Sequence, residues 1–183
     1  MIGQSAFGGI TFTGQSTAFA VTTAAARLTF TAASSLPTTK DRVGDPAVKP
    51  DPTNSRLILN APGLYKVRAE VSGVGASALQ TTMQFYKGTT AYGKKSKYTW
   101  ATAPGTQTLE TIVEVTASDL SSAGGVATFA DPDATAGAGK PAGGFAGAGA
   151  APLSGVYLNL YVTGDGSVNL TLHEGTLYAE RIG

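Results

Sequence analysis

The side chains that could carry chemistry are few in this chain of 183 residues. It contains one histidine, His173, and no cysteine. Without cysteine there is no disulfide, no thiolate nucleophile and no thiolate zinc site. A Ser-His-Asp triad would have to use His173, but no G-x-S-x-G turn accompanies it. We therefore interpret His173 as a surface or interface residue on a strand.

Paired carboxylates could still hydrolyse a glycosidic bond. Glu110 and Glu114 lie four residues apart on one predicted strand, so strand rise alone separates their Cβ atoms by about 13 Å. That separation fits neither glycosidase geometry. The carboxylates considered are Glu110, Glu114, Asp119, Asp131, Asp133 and Asp165. Because they form no catalytic constellation, the sequence predicts a protein that is not an enzyme and that needs no cofactor or metal.

Basic and aromatic residues cluster once, in the segment AYGKKSKYTW (91–100). Lysines interleaved with aromatic rings can contact phosphates, and tyrosine and tryptophan also favour interfaces and sugars. Three lysines are few and the net charge is +1, so no nucleic-acid partner is predicted. The same lysines are typical of an exposed strand edge, where charge discourages unwanted pairing. The candidates for contact with a capsid or a glycan are Tyr92, Lys94, Lys95, Tyr98 and Trp100.

The elements that must position these residues have the period of β-strands. In NAPGLYKVRAEVSG (60–73) a turn leads into a run in which Tyr65, Val67 and Val71 alternate with charged residues. Such alternation places one wall of a strand in a core and the other in water. Similar runs occupy 79–88, 106–115, 155–162, 167–174 and 176–182. The pattern predicts an all-β, antiparallel jelly-roll sandwich in a single domain, 1–183.

Three segments have local interpretations of their own. Gly164-Asp165-Gly166, between two alternating runs, predicts the turn of a β-hairpin. VTASDLSSAG (115–124) could hold one helical turn. The Gly/Ala-rich segment 131–152 is interpreted either as a flexible insertion or as an arm ordered against a neighbouring subunit, with Phe145 as its anchor.

The composition points to a surface covered by partners. Charged residues make up 14% of the chain, against roughly a quarter in a typical soluble domain. Residues 1–97 carry 11 Lys and Arg against 4 Asp and Glu, and residues 98–183 carry 2 against 8. Unless folding cancels this asymmetry, it favours head-to-tail contact between copies. No membrane span or secretory signal is visible, so we expect no membrane partner and folding in a cytoplasm.

Several stretches resemble the jelly-roll domains of the tumour-necrosis-factor/C1q family. Gly63, Tyr65, Val67 and Val71 match its G-x-Y-x-V strand, and SGVYLNLYVTGDGSVNL (154–170) is similar to a second passage of that family. The ending LYAERIG resembles the closing strand of the version found in bacteriophage head and fibre proteins. The resemblance implies a homotrimer packed round a threefold axis. The interface residues expected from it are Tyr65, Val67, Tyr157, Tyr161 and Tyr178.

From this resemblance we expect a trimeric decoration, or cement, protein that stabilises a phage capsid, with the major capsid protein as its partner. The expected location is the virion surface, after folding in the host cytoplasm. Residues 1–13 would form a docking arm, and Ile2, Phe7 and Phe145 join the candidate contacts. The alternative is the head of a fibre or spike that binds a receptor or host-surface glycan through Tyr92, Tyr98 and Trp100.

Overall fold

The computed structural model describes most of the chain outside the Gly/Ala-rich segment. The described residues are 6–13, 18–30, 33–36, 38, 47–76, 78–121, 128–129, 153–166 and 168–182. Ile2, Phe145 and the whole of 131–152 lie outside them, so the predictions for those residues stay predictions.

The described residues form 14 strands, one short helix and one 3₁₀ turn. The first seven strands are β1 (Phe7–Thr13), β2 (Ala18–Val21), β3 (Ala26–Arg27), β4 (Ser34–Ser35), β5 (Val48–Asp51), β6 (Arg56–Leu59) and β7 (Gly63–Val74). The others are β8 (Gln80–Lys87), β9 (Thr90–Thr99), β10 (Gly105–Val115), β11 (Thr128–Phe129), β12 (Leu153–Ser154), β13 (Val156–Gly164) and β14 (Val168–Arg181). The 3₁₀ turn is Pro52–Asn54, and helix α1 is Ala117–Ser121, where the sequence predicts a helical turn.

Two antiparallel sheets make a sandwich, as the sequence predicts. Sheet 1 has the order β10-β7-β14-β1-β4, with β2 also paired to β14. Sheet 2 has the order β5-β6-β13-β8-β9, with β3 also paired to β13. A separate short ladder joins β11 to β12. The strands of each sheet come from distant parts of the chain, so the fold is built from long-range pairing.

Alternation along the strands explains how the two sheets meet. In β10 every second residue from Gln107 to Val115 is buried, and the residues between them are exposed. In β7 the same period buries Tyr65, Val67, Ala69 and Val71. These apolar walls of sheet 1 face the apolar walls of β8 and β13 in sheet 2, and together they form one hydrophobic core. The core includes Leu177 from sheet 1 and Phe85, Leu158 and Leu160 from sheet 2. The buried wall therefore packs against the second sheet of the same subunit.

Two local predictions are wrong. Gly164-Asp165-Gly166 does not close a hairpin, because β13 belongs to sheet 2 and β14 to sheet 1. The turn carries the chain from one sheet to the other, held by hydrogen bonds that Gly164 N donates to Thr22 O and Asp165 N donates to Gln80 O. The predicted docking arm 1–13 also fails over its second half. Phe7–Thr13 are β1, paired with β14 along their whole length.

Side chains close the open side of the sandwich between β9 and β10. Trp100 Nε1 donates to Thr81 Oγ1 at 2.8 Å, and Thr81 Oγ1 donates to Gln107 Oε1 at 2.7 Å. Gln107 Nε2 then donates to the carbonyl of Ser96 at 2.8 Å. Trp100, Thr81 and Gln107 are each about 1% exposed. Because buried polar groups must be paired, this chain of bonds fixes β9 against β10.

Candidate interaction surfaces

The candidate ligand residues do not gather into a metal-binding cluster among the described residues. In those parts of the chain no group of three or more His, Cys, Asp or Glu side chains could hold a metal ion. His173 lies half-buried on β14. Glu110 and Glu114 share the exposed wall of β10, as the sequence predicts, and Asp165 Oδ1 accepts a bond from Gln80 N at 3.3 Å. Asp131 and Asp133 lie outside the described residues.

Asp119 has a structural role at one end of the sandwich. Its carboxylate accepts hydrogen bonds from Thr116 N and Thr116 Oγ1, both at 2.7 Å, and pairs with Lys87 Nζ at 3.0 Å. Burial raises the pKa of Asp119, but the bonds from Thr116 and the charge of Lys87 outweigh it and leave the pKa below its ordinary value. The ion pair therefore links β8 to the turn that follows β10.

This lowered pKa predicts how Asp119 affects stability with pH. A carboxyl whose pKa is lower in the folded state stabilises the fold above its unfolded pKa, and that stabilisation is lost as pH falls through the folded value. We expect Asp119→Asn to lower the free energy of unfolding at pH 7, and we expect the difference from the native protein to shrink below about pH 4. Urea titrations across this pH range measure it. A difference that does not change with pH would contradict the role given to the charge.

The aromatic residues proposed for glycan contact point into the protein. Trp100 is 1% exposed and stacks edge-on against Tyr98, with ring centroids 4.8 Å apart. Tyr92 and Tyr98 are partly buried against the core, and Tyr92 Oη accepts a bond from Glu114 N. Trp100 is therefore not accessible to a partner, and its prediction as a capsid or glycan contact is wrong. Lys94 and Lys95 are exposed, on the edge strand that the lysines predict.

The five residues predicted for the trimer interface do not share a surface. Tyr65 and Val67 are fully buried in the core, and Tyr65 Oη donates to Ala61 O within the subunit. Neither has area for a partner, so the prediction is wrong for both. Tyr157 and Tyr161 lie on the outer face of sheet 2, where Tyr157 packs under Arg56. Only Tyr178 lies on the outer face of sheet 1.

Strand register places Phe7 and Tyr178 together on that outer face of sheet 1. Their ring centroids are 6.1 Å apart. Burial first, and then the charge of Glu180, raise the pKa of Tyr178 above its ordinary value. Beside it, a hollow of about 290 Å³ is lined by Arg68, Glu70, Thr176 and Tyr178.

Large exposed aliphatic side chains gather at one end of the same face. Leu64, Ile112 and Ile182 are 42%, 54% and 49% exposed, and they are the exposed large hydrophobic residues of the described chain. Ile182 N donates to Leu64 O, and Ile112 lies opposite Lys66, two residues along β7 from Leu64. We call these three residues the apolar corner. The sequence signals for it are Leu64 and Ile112, which are aliphatic residues on the polar walls of β7 and β10.

All five glutamates of the chain project from the outer face of sheet 1, together with Lys66 and Arg68. The glutamates are Glu70, Glu110, Glu114, Glu174 and Glu180, and we call their surface the glutamate face. Glu110 pairs with Lys66 at 3.4 Å, and Glu70 pairs with Arg68 at 2.8 Å. The other three glutamates have no ion pair within the described residues. Charges from the positive and negative halves of the sequence are therefore brought together on this face, as the pair of Lys66 with Glu110 shows.

Comparison with known proteins agrees with the architecture. No family model matches the chain, and no curated protein matches it. Among solved structures, the vertex protein P5 of PRD1 matches 99% of this chain and 99% of its own, with a TM-score of 0.53 and 13% identity. Murine APRIL matches 98% and 100%, with a TM-score of 0.52 and 5% identity. Eiger TNF from S. frugiperda matches 97% and 94%, with a TM-score of 0.52 and 8% identity.

These likenesses identify the fold as a TNF-like jelly roll, which confirms the fold that the sequence predicts. Each likeness extends over nearly the full length of both chains. No helix in the described ranges is long and apolar enough to cross a membrane.

Proposed function

We propose that this protein is a structural component of a virus particle and that it works as a homotrimer on the capsid surface. The observation that carries the proposal is the apolar corner, which groups the exposed large aliphatic side chains of the described chain on one end of one sheet face. Isolated exposed aliphatic residues are ordinary, but several of them on neighbouring strands at one end of a sheet face favour an interaction surface. A surface of this kind works by binding, not by chemistry.

A second copy of the chain is the occupant we propose for this face. The TNF-like fold supports a threefold assembly, because that is the behaviour the resemblance implies. Ion pairs already join Lys66 to Glu110 and Arg68 to Glu70 across the face. Charges that are paired within a subunit cost less to bury than isolated charges. In this assembly Phe7, Tyr178 and the apolar corner would be covered by the neighbouring subunit.

The virion role has two supports. The full-length likeness to the vertex protein of PRD1 favours a place in a virus particle. The low content of charge favours a protein whose surface is shared with partners. We propose decoration of the capsid, with the major capsid protein as partner, since many small contacts repeated over a shell resist internal pressure without any catalysis. Folding would take place in the host cytoplasm.

For the alternative role, a receptor-binding or glycan-binding head, the aromatic residues predicted to make the contact are buried or partly buried. Trp100 is buried with its Nε1 bonded to Thr81, and Tyr92 and Tyr98 pack on the core. The open aromatic platform that stacks on sugars is therefore missing from the predicted place. Lys94 and Lys95 stay exposed.

Particles made from a genome in which this gene is disrupted test the proposal. We expect such particles to form but to release their DNA at a lower temperature than complete particles, and we expect purified protein to restore the native release temperature. Protein with Ile112→Asp should fail to restore it. Unchanged release temperature, together with binding of the purified protein to host cells, would instead support the receptor-binding alternative.

A further inference from the structure

The outer face of sheet 2 carries a row of side chains that crosses four strands. Strand register places Arg27 of β3 opposite Tyr161 of β13. Tyr161 lies in turn opposite Gln84 of β8, and Gln84 lies opposite Lys95 of β9. Paired residues of neighbouring strands point to the same face, so these four side chains lie side by side. Lys95 is exposed and the other three are partly exposed, and we call the four residues the cross-strand row.

The charge along this row is positive. Lys97, which lies opposite Thr82 and two residues along β9 from Lys95, adds a third exposed cation to the same face. Arg27, Lys95 and Lys97 form no ion pair within the described residues. The glutamates project from sheet 1, so none of them neutralises this surface. Charge complementarity therefore favours an anionic ligand on the outer face of sheet 2.

Two tyrosine rings occupy the middle of the face. Tyr161 stacks on Tyr86, with ring centroids 4.0 Å apart and an angle of 26° between the ring planes. Both side chains are partly exposed. Because each ring covers one face of the other, the stack leaves no gap in which a nucleic-acid base could insert. Apolar ring surface beside two hydroxyl groups suits a sugar, which also combines an apolar face with hydroxyls.

A polar hollow of about 340 Å³ adjoins the row, and Gln80, Thr82, Lys97 and Asp165 are among the residues that line it. Asp165 Oδ1 accepts a hydrogen bond from Gln80 N at 3.3 Å, and the carboxylate has further capacity to accept. A carboxylate repels a phosphate backbone, but it accepts hydrogen bonds from sugar hydroxyls. The hollow therefore favours a sugar over a nucleic acid.

We propose that the outer face of sheet 2 binds an acidic polysaccharide whose chain lies along the cross-strand row. Arg27 and Lys95 are three strand spacings apart, which is about 14 Å between their Cα atoms. A nucleic-acid strand would place several phosphates over that length, at about 3.4 Å of helix axis for each. An acidic polysaccharide separates its carboxylate or sulfate groups by neutral rings that carry hydroxyls. The order of cation, aromatic ring, amide and cation matches that spacing.

This binding activity is separate from the proposed assembly. The trimer would cover the outer face of sheet 1, so the outer face of sheet 2 stays available in the assembled protein. Its rings, Tyr86 and Tyr161, come from β8 and β13, and strand pairing alone brings them together. On a virus particle, this face would attach the capsid surface to acidic glycans while the other sheet holds the trimer.

Isothermal titration calorimetry with the purified full-length chain tests the proposal. The probes are hyaluronate, chondroitin sulfate and alginate, with neutral dextran and an oligothymidylate for comparison. We expect at least one acidic polysaccharide to bind, dextran not to bind and the oligothymidylate to bind more weakly. A variant with Arg27→Gln, Lys95→Gln and Lys97→Gln should bind the polysaccharide at least about tenfold more weakly, since three exposed ion pairs are lost. The matched control, Arg27→Lys with Lys95→Arg and Lys97→Arg, keeps the charges and should bind like the native protein.

Asp165→Asn separates sugar recognition from simple charge attraction. Asparagine keeps the acceptor for Gln80 N but loses the charged acceptor for sugar hydroxyls, so we expect polysaccharide binding to weaken about threefold. Tighter binding, as charge alone would give, would contradict the assignment of the hollow to a sugar. Circular dichroism and light scattering check that each variant is folded and assembled like the native protein.

Two results would overturn the ligand. One is the absence of binding to all three acidic polysaccharides, and the other is tighter binding of the oligothymidylate. Equal binding by the triple-glutamine variant and the native protein would overturn the site. These results leave the capsid proposal intact, because the triple-glutamine variant should still restore the DNA release temperature of particles that lack the protein.

Discussion

Replacing Ile112 with aspartate should convert the assembled protein into folded monomers. Ile112 is 54% exposed in the single subunit, so a charge there costs the isolated fold little. In the proposed trimer the same side chain is covered by a neighbour, and an unpaired charge in such a contact costs about 3–5 kcal/mol. A loss of that size weakens association at least about 100-fold. Sedimentation velocity at a fixed protein concentration measures the change.

The control for Ile112→Asp is Thr53→Asp. Thr53 is exposed in the 3₁₀ turn between β5 and β6, on the opposite sheet, and gains the same charge. We expect it to assemble like the native protein. If Ile112→Asp and Thr53→Asp sediment alike, the apolar corner is not part of a subunit interface.

The second large effect is expected from Thr81→Val, inside the sandwich. Valine has nearly the shape of threonine but lacks the hydroxyl that bonds both Trp100 Nε1 and Gln107 Oε1. Both groups would then be buried without a partner, at a cost of about 1–3 kcal/mol each. We expect the free energy of unfolding to fall by about 2–6 kcal/mol. Trp100 is the only tryptophan, so its fluorescence reports the transition directly.

Two companion variants make the Thr81 result specific. Thr81→Ser keeps the hydroxyl, and we expect it to recover most of the stability. Thr82→Val makes the same chemical change on the neighbouring residue, whose side chain points away from the core and is half-buried. All variants must be compared at one subunit concentration, because the stability of an assembly depends on it. Equal losses in Thr81→Val and Thr82→Val would show that the buried hydrogen-bond chain is not the cause.

The alternation of apolar and polar residues predicts the sandwich well because it indicates which wall of each strand is buried. In β7 and β10 the buried residues of the structure are the ones that this alternation predicts to be buried. The same patterns do not reveal what the apolar wall packs against. The resemblance predicts Tyr65 at a subunit interface, but Tyr65 packs in the core of its own subunit and its Oη donates to Ala61 O. Burial inside a subunit and burial between subunits have the same sequence signature.

Features that depend on register could not be predicted. Gly164-Asp165-Gly166 signals a reversal of the chain, but whether the next strand joins the same sheet is decided by pairing with β7 and β1. The glutamate face arises only when β7, β10 and β14 align, and these strands are distant in sequence. Trp100 is held inside by its bond to Thr81, which in turn bonds Gln107, and no local pattern connects these residues.

The mass of the purified full-length chain in solution tests the central claim most directly. Light scattering coupled to size exclusion, at low salt, should give about three times the 18.4 kDa of one subunit. A single species at 18.4 kDa over a wide range of protein concentration would contradict a homotrimer formed through the outer face of sheet 1.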